Sequence, residues 1–75
     1  MEFHMQQQHL PALTILRLKQ VGIETGLSRS SIYRGIQAGT FPNSIPLGPR
    51  AVGWRRGDID AWLANPAGYR AQAAV

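Results

Sequence analysis

Residues 25–34 read TGLSRSSIYR, a glycine-centred turn that runs into a polar, basic segment. Gly26 is a natural C-terminal stop for a preceding helix, and Ser28 is a favoured N-cap for the next one. The helix predicted from Ser28 to about Gly39 carries hydroxyls, arginines and a tyrosine in place of a continuous apolar stripe. This arrangement is typical of the second half of a helix-turn-helix, the half that reads the major groove of DNA.

The predicted second helix has an apolar side and a polar side. Ile32 and Ile36 stand four residues apart and share one side. At 100° per residue, the opposite side carries Ser30, Arg34 and Gln37. The pattern therefore separates core anchors from a cationic outer side.

The segment before the turn predicts a short strand and a helix. Residues 15–18 read as a strand that leads into a helix over about residues 18–25. Leu18 and Val21 stand three residues apart on one face of that helix. Gly26 then ends it.

A hairpin and a third helix are predicted after the second helix. Residues 45–47 and 51–55 read as strands, and Gly48-Pro49-Arg50 supplies the turn. Pro46 lacks a backbone donor, so the first of these strands is expected at a sheet edge. A helix over about residues 57–64 follows and ends at Asn65-Pro66. The expected core takes the apolar side chains on the inner faces: Val21, Leu27, Ile32, Ile36, Trp54, Ile59, Trp62 and Leu63.

Seventy-five residues allow one domain. We expect it to span residues 15–65, between a disordered or loosely ordered N-terminal tail over residues 1–14 and a C-terminal tail over residues 66–75. The net charge is +4, and no acidic residue lies between Glu24 and Asp58, a stretch that holds five arginines. A central block of one sign favours a polyanionic partner such as nucleic acid.

The composition gives catalysis and metal binding little support. The chain has no cysteine, which fits a reducing cytoplasm and leaves no thiolate nucleophile or metal ligand. His4 and His9 lie in the N-terminal tail without further ligands, and Asp58 and Asp60 diverge on a helix. No run reaches the about 20 apolar residues of a membrane span. We expect no enzyme, no cofactor and no metal.

Helix, turn, helix, hairpin, helix is the order of a winged helix-turn-helix, mainly α with a small β-hairpin. Five separated parts of the chain resemble, in order, the AlpA-type phage transcriptional regulators. They are RLKQV at 17–21, TGLSRSSIYR at 25–34, FP at 41–42, PLG at 46–48 with GWR at 53–55, and IDAWL at 59–63. These regulators are similar to phage excisionases and to the DNA-binding part of MerR-type regulators. The resemblance implies a DNA-binding protein of prophage or mobile-element origin. Gly22 and Gly35 stand where larger residues are typical of such proteins.

The second helix supplies most of the candidate DNA contacts: Arg29, Ser30, Ser31, Tyr33, Arg34 and Gln37. A guanidinium such as that of Arg34 can bond both acceptors of a guanine, with a phosphate contact as the alternative. Gln37 has the chemistry for adenine but sits late in the helix. For Arg29 the alternative is a surface ion pair with Glu24.

The hydroxyls on this helix leave two roles open. Ser30 and Ser31 can donate to phosphates or bases, or can serve the start of the helix. The hydroxyl of Tyr33 can reach a phosphate, or its ring can pack against the hairpin.

Three further cations are candidate contacts: Lys19, Arg50 and Arg55. Arg50 at the hairpin tip is expected to enter a minor groove or to bind its phosphates, with a solvated tip as the alternative. Of Arg55 and Arg56, one is expected to face DNA and the other to pair with a carboxylate at the start of the third helix. Lys19 either touches the DNA backbone or is solvated.

We expect a sequence-specific DNA-binding transcriptional regulator, with the helix over residues 28–39 in the major groove of double-stranded DNA. The hairpin over residues 45–55 lies on an adjacent groove or backbone. A homodimer or cooperative oligomer on DNA is expected, as is a protein partner such as an integrase or RNA polymerase, at the bacterial nucleoid. An excisionase-type architectural factor needs the same surface and stays an alternative. A third reading is an adaptor domain that binds an integrase or another protein.

Overall fold

The computed structural model describes residues 11–71, which form a short strand, two helices, a hairpin and a third helix. The elements are β1 Ile15–Leu16, α1 Leu18–Thr25, α2 Arg29–Ala38, β2 Ile45–Gly48, β3 Ala51–Arg55 and α3 Arg56–Ala64. Three helices and a small antiparallel sheet in this order make a winged helix-turn-helix, so the predicted fold class is confirmed. None of these helices has the length and hydropathy of a membrane span.

Local chemistry at both ends of α2 explains where the helix starts and stops. Gly26 has a φ of 75° and ends α1, its N–H donating to the carbonyl of Gly22. The Ser28 hydroxyl oxygen accepts the N–H of Ser31 at 3.1 Å, which caps α2 as predicted. Gly39 ends α2 with a φ of 79°, a conformation that glycine adopts without steric cost.

The hairpin belongs to a three-stranded sheet in the order β1-β3-β2. Ile15 pairs with Arg55 and Leu16 with Trp54, so β3 is the central strand. Pro46 lies in β2 at the edge of the sheet, which confirms the prediction made from its missing donor. The register shifts between Pro46 and Gly48, close to the hairpin turn.

Six side chains from six different parts of the chain form the core. They come from β1, α1, α2, the α2–β2 loop, β3 and α3, and none is more than 2% exposed: Leu16, Val21, Ile32, Phe41, Trp54 and Ile59. Three other predicted core residues pack partly buried against them: Leu27, Ile36 and Trp62.

The prediction that Leu63 belongs to the core is wrong, because the residue is 36% exposed. Trp62, one residue earlier, packs its ring 5.2 Å from that of Phe41 and covers the core at this end of α3. Leu63 lies in the last turn of the helix, beyond that contact.

Both tryptophans bond the loop that connects α2 to the hairpin. The indole N–H of Trp54 donates to the carbonyl of Pro42 at 3.0 Å, and that of Trp62 donates to the carbonyl of Thr40 at 3.1 Å. Phe41, between these two carbonyls, is buried. The loop is therefore fixed between β3 and α3, and the hairpin has a defined position relative to α2.

Some of the described residues outside 15–65 hydrogen-bond to the domain. The N–H groups of Arg56 and Gly57 donate to the carbonyls of Thr14 and Ala12, at 2.7 and 2.9 Å. The N–H of Ala71 donates to the carbonyl of Gly39 at 2.8 Å. The remainder of the two expected tails, residues 1–10 and 72–75, lies outside the described residues.

Candidate nucleic-acid interface

The polar face of α2 consists of Ser30, Arg34 and Gln37, and all three residues are exposed. On the opposite side of the helix, Ile32 is 1% exposed and Ile36 packs against the core. The core therefore anchors α2 by one side and presents the other, cationic side to solvent.

Arg29 and Tyr33 form the flank of α2 that lies toward the hairpin. The Arg29 guanidinium carbon lies 5.9 Å from the centre of the Tyr33 ring, within cation–π range. The Tyr33 ring lies 6.5 Å from the Trp54 ring of β3, at an interplanar angle of 58°. Of the two roles left open for Tyr33, the structure shows the ring packed toward the hairpin, with 37% of the residue still exposed.

Ser31 takes part in the start of α2. Its N–H and its hydroxyl oxygen both bond the hydroxyl of Ser28, at 3.1 Å each. Ser31 is half-buried, whereas its neighbour Ser30 is exposed. Helix-start chemistry thus occupies Ser31 in the unbound protein.

The two ion pairs that the structure records between residues 11 and 71 both belong to Arg56, which is 3% exposed. Its guanidinium lies 2.8 Å from a carboxylate oxygen of Glu24 and 3.1 Å from one of Asp60. The hydrogen bond with Glu24 raises the pKa of Arg56 against the opposing effect of burial. This confirms the prediction that one of the two arginines, Arg55 or Arg56, pairs with a carboxylate at the start of the third helix. Glu24 contacts Arg56, and the alternative of an Arg29–Glu24 pair is not what the structure shows.

This pairing leaves the outer surface positive. Glu24 and Asp60 are two of the three carboxylates between residues 11 and 71, the third being Asp58. The exposed arginines of α2 and the hairpin tip, Arg29, Arg34 and Arg50, have no carboxylate partner in that part of the chain. A positive surface around α2 and the hairpin suits a polyanion.

The remaining predicted contacts occupy different sides of the domain. Lys19 is exposed in the first turn of α1, and Arg50 is exposed in the turn between β2 and β3. Side chains alternate along a strand, so Arg55 points away from the side of β3 that holds Trp54.

Arg55 lines a groove of about 550 Å³ together with Asp58, Tyr69 and Arg70. Burial, followed by the charge of Asp58, raises the pKa of the Tyr69 hydroxyl there. The polar face of α2 contributes no residue to this groove, so the structure does not bring Arg55 together with that face.

Arg17 is an exposed cation that the sequence did not single out as a contact. Its Nε donates to the carbonyl of Val52 in β3 at 3.1 Å. The only local signal was its charge, because a bond between residues 35 positions apart is a property of the folded chain. Within the described residues, no three His, Cys, Asp or Glu side chains come together as a metal site.

The fold and this surface define a winged helix-turn-helix with a cationic outer helix face. Residues 14–67 match the model of the family described as "Prophage CP4-57 regulatory protein (AlpA)", a range that contains all six elements. The chain belongs to this AlpA family, and the resemblance seen in the five sequence segments is confirmed.

Two relatives agree with this assignment. A protein of Enterobacteria phage P4, described as "Uncharacterized protein ORF88", is 41% identical over 59 residues, covering 75% of this chain and 67% of the phage protein. The "DNA-binding transcriptional activator AlpA" of Escherichia coli (strain K12) is 39% identical over 60 residues, covering 72% of this chain and 86% of that protein. No solved structure matches the chain.

Proposed function

We propose that this protein is a sequence-specific DNA-binding transcriptional regulator of prophage or mobile-element type. The observation that carries the proposal is the polar face of α2, exposed and cationic while Ile32 on the other side is buried. The Escherichia coli relative, described as a DNA-binding transcriptional activator, supports the same assignment.

In this proposal α2 lies in the major groove. Arg34 points from the middle of its polar face and bonds the two acceptors of a guanine, a contact worth about 1–3 kcal/mol of discrimination. Gln37, one turn later, reads an adenine or bonds the backbone. Arg29 and Ser30, in the first turn, bind phosphates beside the helix start, where free amides also attract anions.

The hairpin acts as the wing. Arg50 at its tip binds an adjacent groove or its phosphates. The bond from Trp54 to Pro42 and the packing of Tyr33 on Trp54 fix the wing to α2, so both engage DNA as one body. Lys19 adds a backbone contact from α1. Arg55, on the far side of β3, adds long-range attraction to the same polyanion.

We further propose that two or more copies bind together. A single module of this size buries about 600–1,000 Å² on DNA, which limits its affinity and specificity. A homodimer or a cooperative oligomer on repeated sites multiplies both without new base contacts. An integrase or RNA polymerase is then recruited to the assembled complex.

The proposal is tested by selecting bound duplexes from a random pool and then measuring the affinity of Arg34→Ala for the best site. We expect a loss of about 1–3 kcal/mol, or about 5- to 150-fold, with relaxed preference at one base position. Arg70→Ala removes the same charge from the groove side, away from the polar face of α2, and should weaken binding far less than Arg34→Ala does. Unchanged affinity in the Arg34→Ala protein would contradict the assignment of α2.

Further outcomes separate the rival functions. Changed transcription from a reporter that carries the selected site supports a regulator. Filament growth and bending of the same DNA without a transcriptional effect indicate an architectural excision factor. Failure to bind any duplex in a salt-dependent way, with a retained protein partner, indicates an adaptor.

A further inference from the structure

Arg17 is held at the junction where β1 passes into α1 beside β3. The β1–β3 pairing ends with Leu16 opposite Trp54, while β3 continues toward the hairpin tip. Beyond that last pair, the Arg17 Nε donates to the Val52 carbonyl at 3.1 Å. The Arg17 side chain thus adds one hydrogen bond to β3 beyond the last backbone pair between β1 and β3.

This bond uses only part of the donor capacity of Arg17. A guanidinium has five N–H donors, and the bond from Nε leaves the other four, on the two terminal nitrogens. Arg17 is exposed, and the described part of the chain holds no ion-pair partner for it. A guanidinium that is already held by its Nε loses less conformational freedom when its two terminal nitrogens bind an anion.

The position of Val52 in β3 places the Arg17 guanidinium between the wing tip and the part of β3 that contacts α2. Val52 lies two residues after Arg50 at the wing tip and two before Trp54, on which Tyr33 of α2 packs. A strand rises about 3.3 Å per residue, so each of these steps spans about 7 Å. Along β3, the point where Arg17 is anchored therefore lies between the wing tip and the residue on which α2 packs.

We infer that Arg17 binds a DNA backbone phosphate between the wing and α2, positioned by the carbonyl of Val52. This inference rests on the proposed function. Planar guanidinium forks suit phosphate oxygens and give two parallel hydrogen bonds. The contact carries no base information, so it strengthens binding to every duplex. It also fixes the orientation of the wing and α2 on the bound duplex.

The test compares the salt dependence of DNA binding for the parent, Arg17→Gln, Arg17→Lys and Arg70→Gln. Arg17→Gln keeps an amide donor for Val52 and loses the charge, so the log–log salt slope should become shallower by about 0.9. That change corresponds to about eightfold weaker binding in 0.1 M salt, on selected and unrelated duplexes alike. Arg17→Lys should keep the slope, and Arg70→Gln should change it by less than half as much.

Two results would overturn the inference. One is an Arg17→Gln slope equal to that of the parent, accompanied only by a lower unfolding temperature, which makes Arg17 a cap on β3. The other is an equal change in Arg17→Gln and Arg70→Gln, which reflects net charge alone. If the parent itself shows no salt-dependent binding, the proposed function fails instead.

A measurement on the parent protein covers the case in which Arg17→Gln does not fold. The side-chain Nε–H signal of Arg17 is assigned by its loss in the spectrum of Arg17→Lys. We expect it to shift on addition of an unrelated duplex and to return at high salt. A signal that stays fixed while the α2 amides shift would overturn the inference.

Discussion

Gly35 lies beneath Phe41, where the chain leaves α2 and turns toward the hairpin. A Cβ at Gly35 would stand 2.9 Å from the Cβ of Phe41, a buried atom close to the backbone. A Cβ at Gly22 in α1 would stand 3.4 Å from the carbonyl oxygen of Leu27, an ordinary contact. Of the two glycines that differ from the family pattern, only Gly35 is needed for close packing.

Replacing each glycine with alanine should therefore shift stability in opposite directions. Alanine gains up to about 1 kcal/mol of helix propensity at either site. At Gly35, overpacking against Phe41 costs about 1–3 kcal/mol, so Gly35→Ala should be destabilised by about 1 kcal/mol net. Gly22→Ala should unfold at a higher temperature than the parent. Equal unfolding temperatures for the two variants would contradict this account.

At the scale of elements, Arg56 joins α1 to α3. It opens α3, binds Asp60 one turn later and reaches across to Glu24 in α1. Burial removes water from the Arg56 guanidinium, and the hydrogen bonds to the two carboxylates replace that hydration. The contact orients α3 relative to the helix-turn-helix, while Trp62 holds the other end of α3 on the loop.

Substituting Arg56→Met should destabilise the domain without changing its DNA contacts. Both carboxylates are about one-third exposed, at 39% and 31% of their side chains, so solvent moderates the loss to about 1–2 kcal/mol. Chemical denaturation measures it. Arg70→Met, which removes the same charge from an exposed site, should leave the free energy of unfolding within about 0.5 kcal/mol. Equal effects of the two substitutions would show that the buried pairs contribute nothing.

At the scale of the whole molecule, charge is distributed unevenly. Arg56 pairs with Glu24 and Asp60, and the groove holds Asp58 beside Arg55 and Arg70. The outer side of α2 and the hairpin tip keep their cations exposed. The outer side of α2 and the hairpin tip therefore present positive charge to a polyanion.

This distribution predicts the salt dependence of the parent protein. Contact with four to six phosphates should give a log–log slope of about −4 to −5 in the association constant. Titration of a labelled duplex at several salt concentrations measures it. Binding to an unrelated duplex should show a similar slope, because phosphate contacts are independent of sequence. A slope near −1 would be inconsistent with a surface this large on DNA.

Much of the fold was predictable because its signals are local. The glycine stops, the Ser28 cap and the edge proline each act within a few residues of their position. Leu16 and Phe41 were missed as core because a two-residue strand and a loop have no periodicity to reveal a buried side. Leu63 was wrongly placed in the core. Periodicity predicts which face of α3 is apolar, but it does not predict how far along the helix that face is buried.

The candidate site divides in the same way. Which residues share the outer side of α2 follows from helical geometry, since 3.6 residues per turn fix it before any packing occurs. Which arginine is buried with carboxylates, and which lies in the groove, depended on how the elements came together. The same holds for the bond between Arg17 and Val52.

Sequence alone therefore determined the order of the elements and the single sign of charge on the central block. Only the tertiary structure decided that Arg56 reaches Glu24 and that Arg17 reaches Val52, because these partners lie 32 and 35 positions away and are brought near by packing.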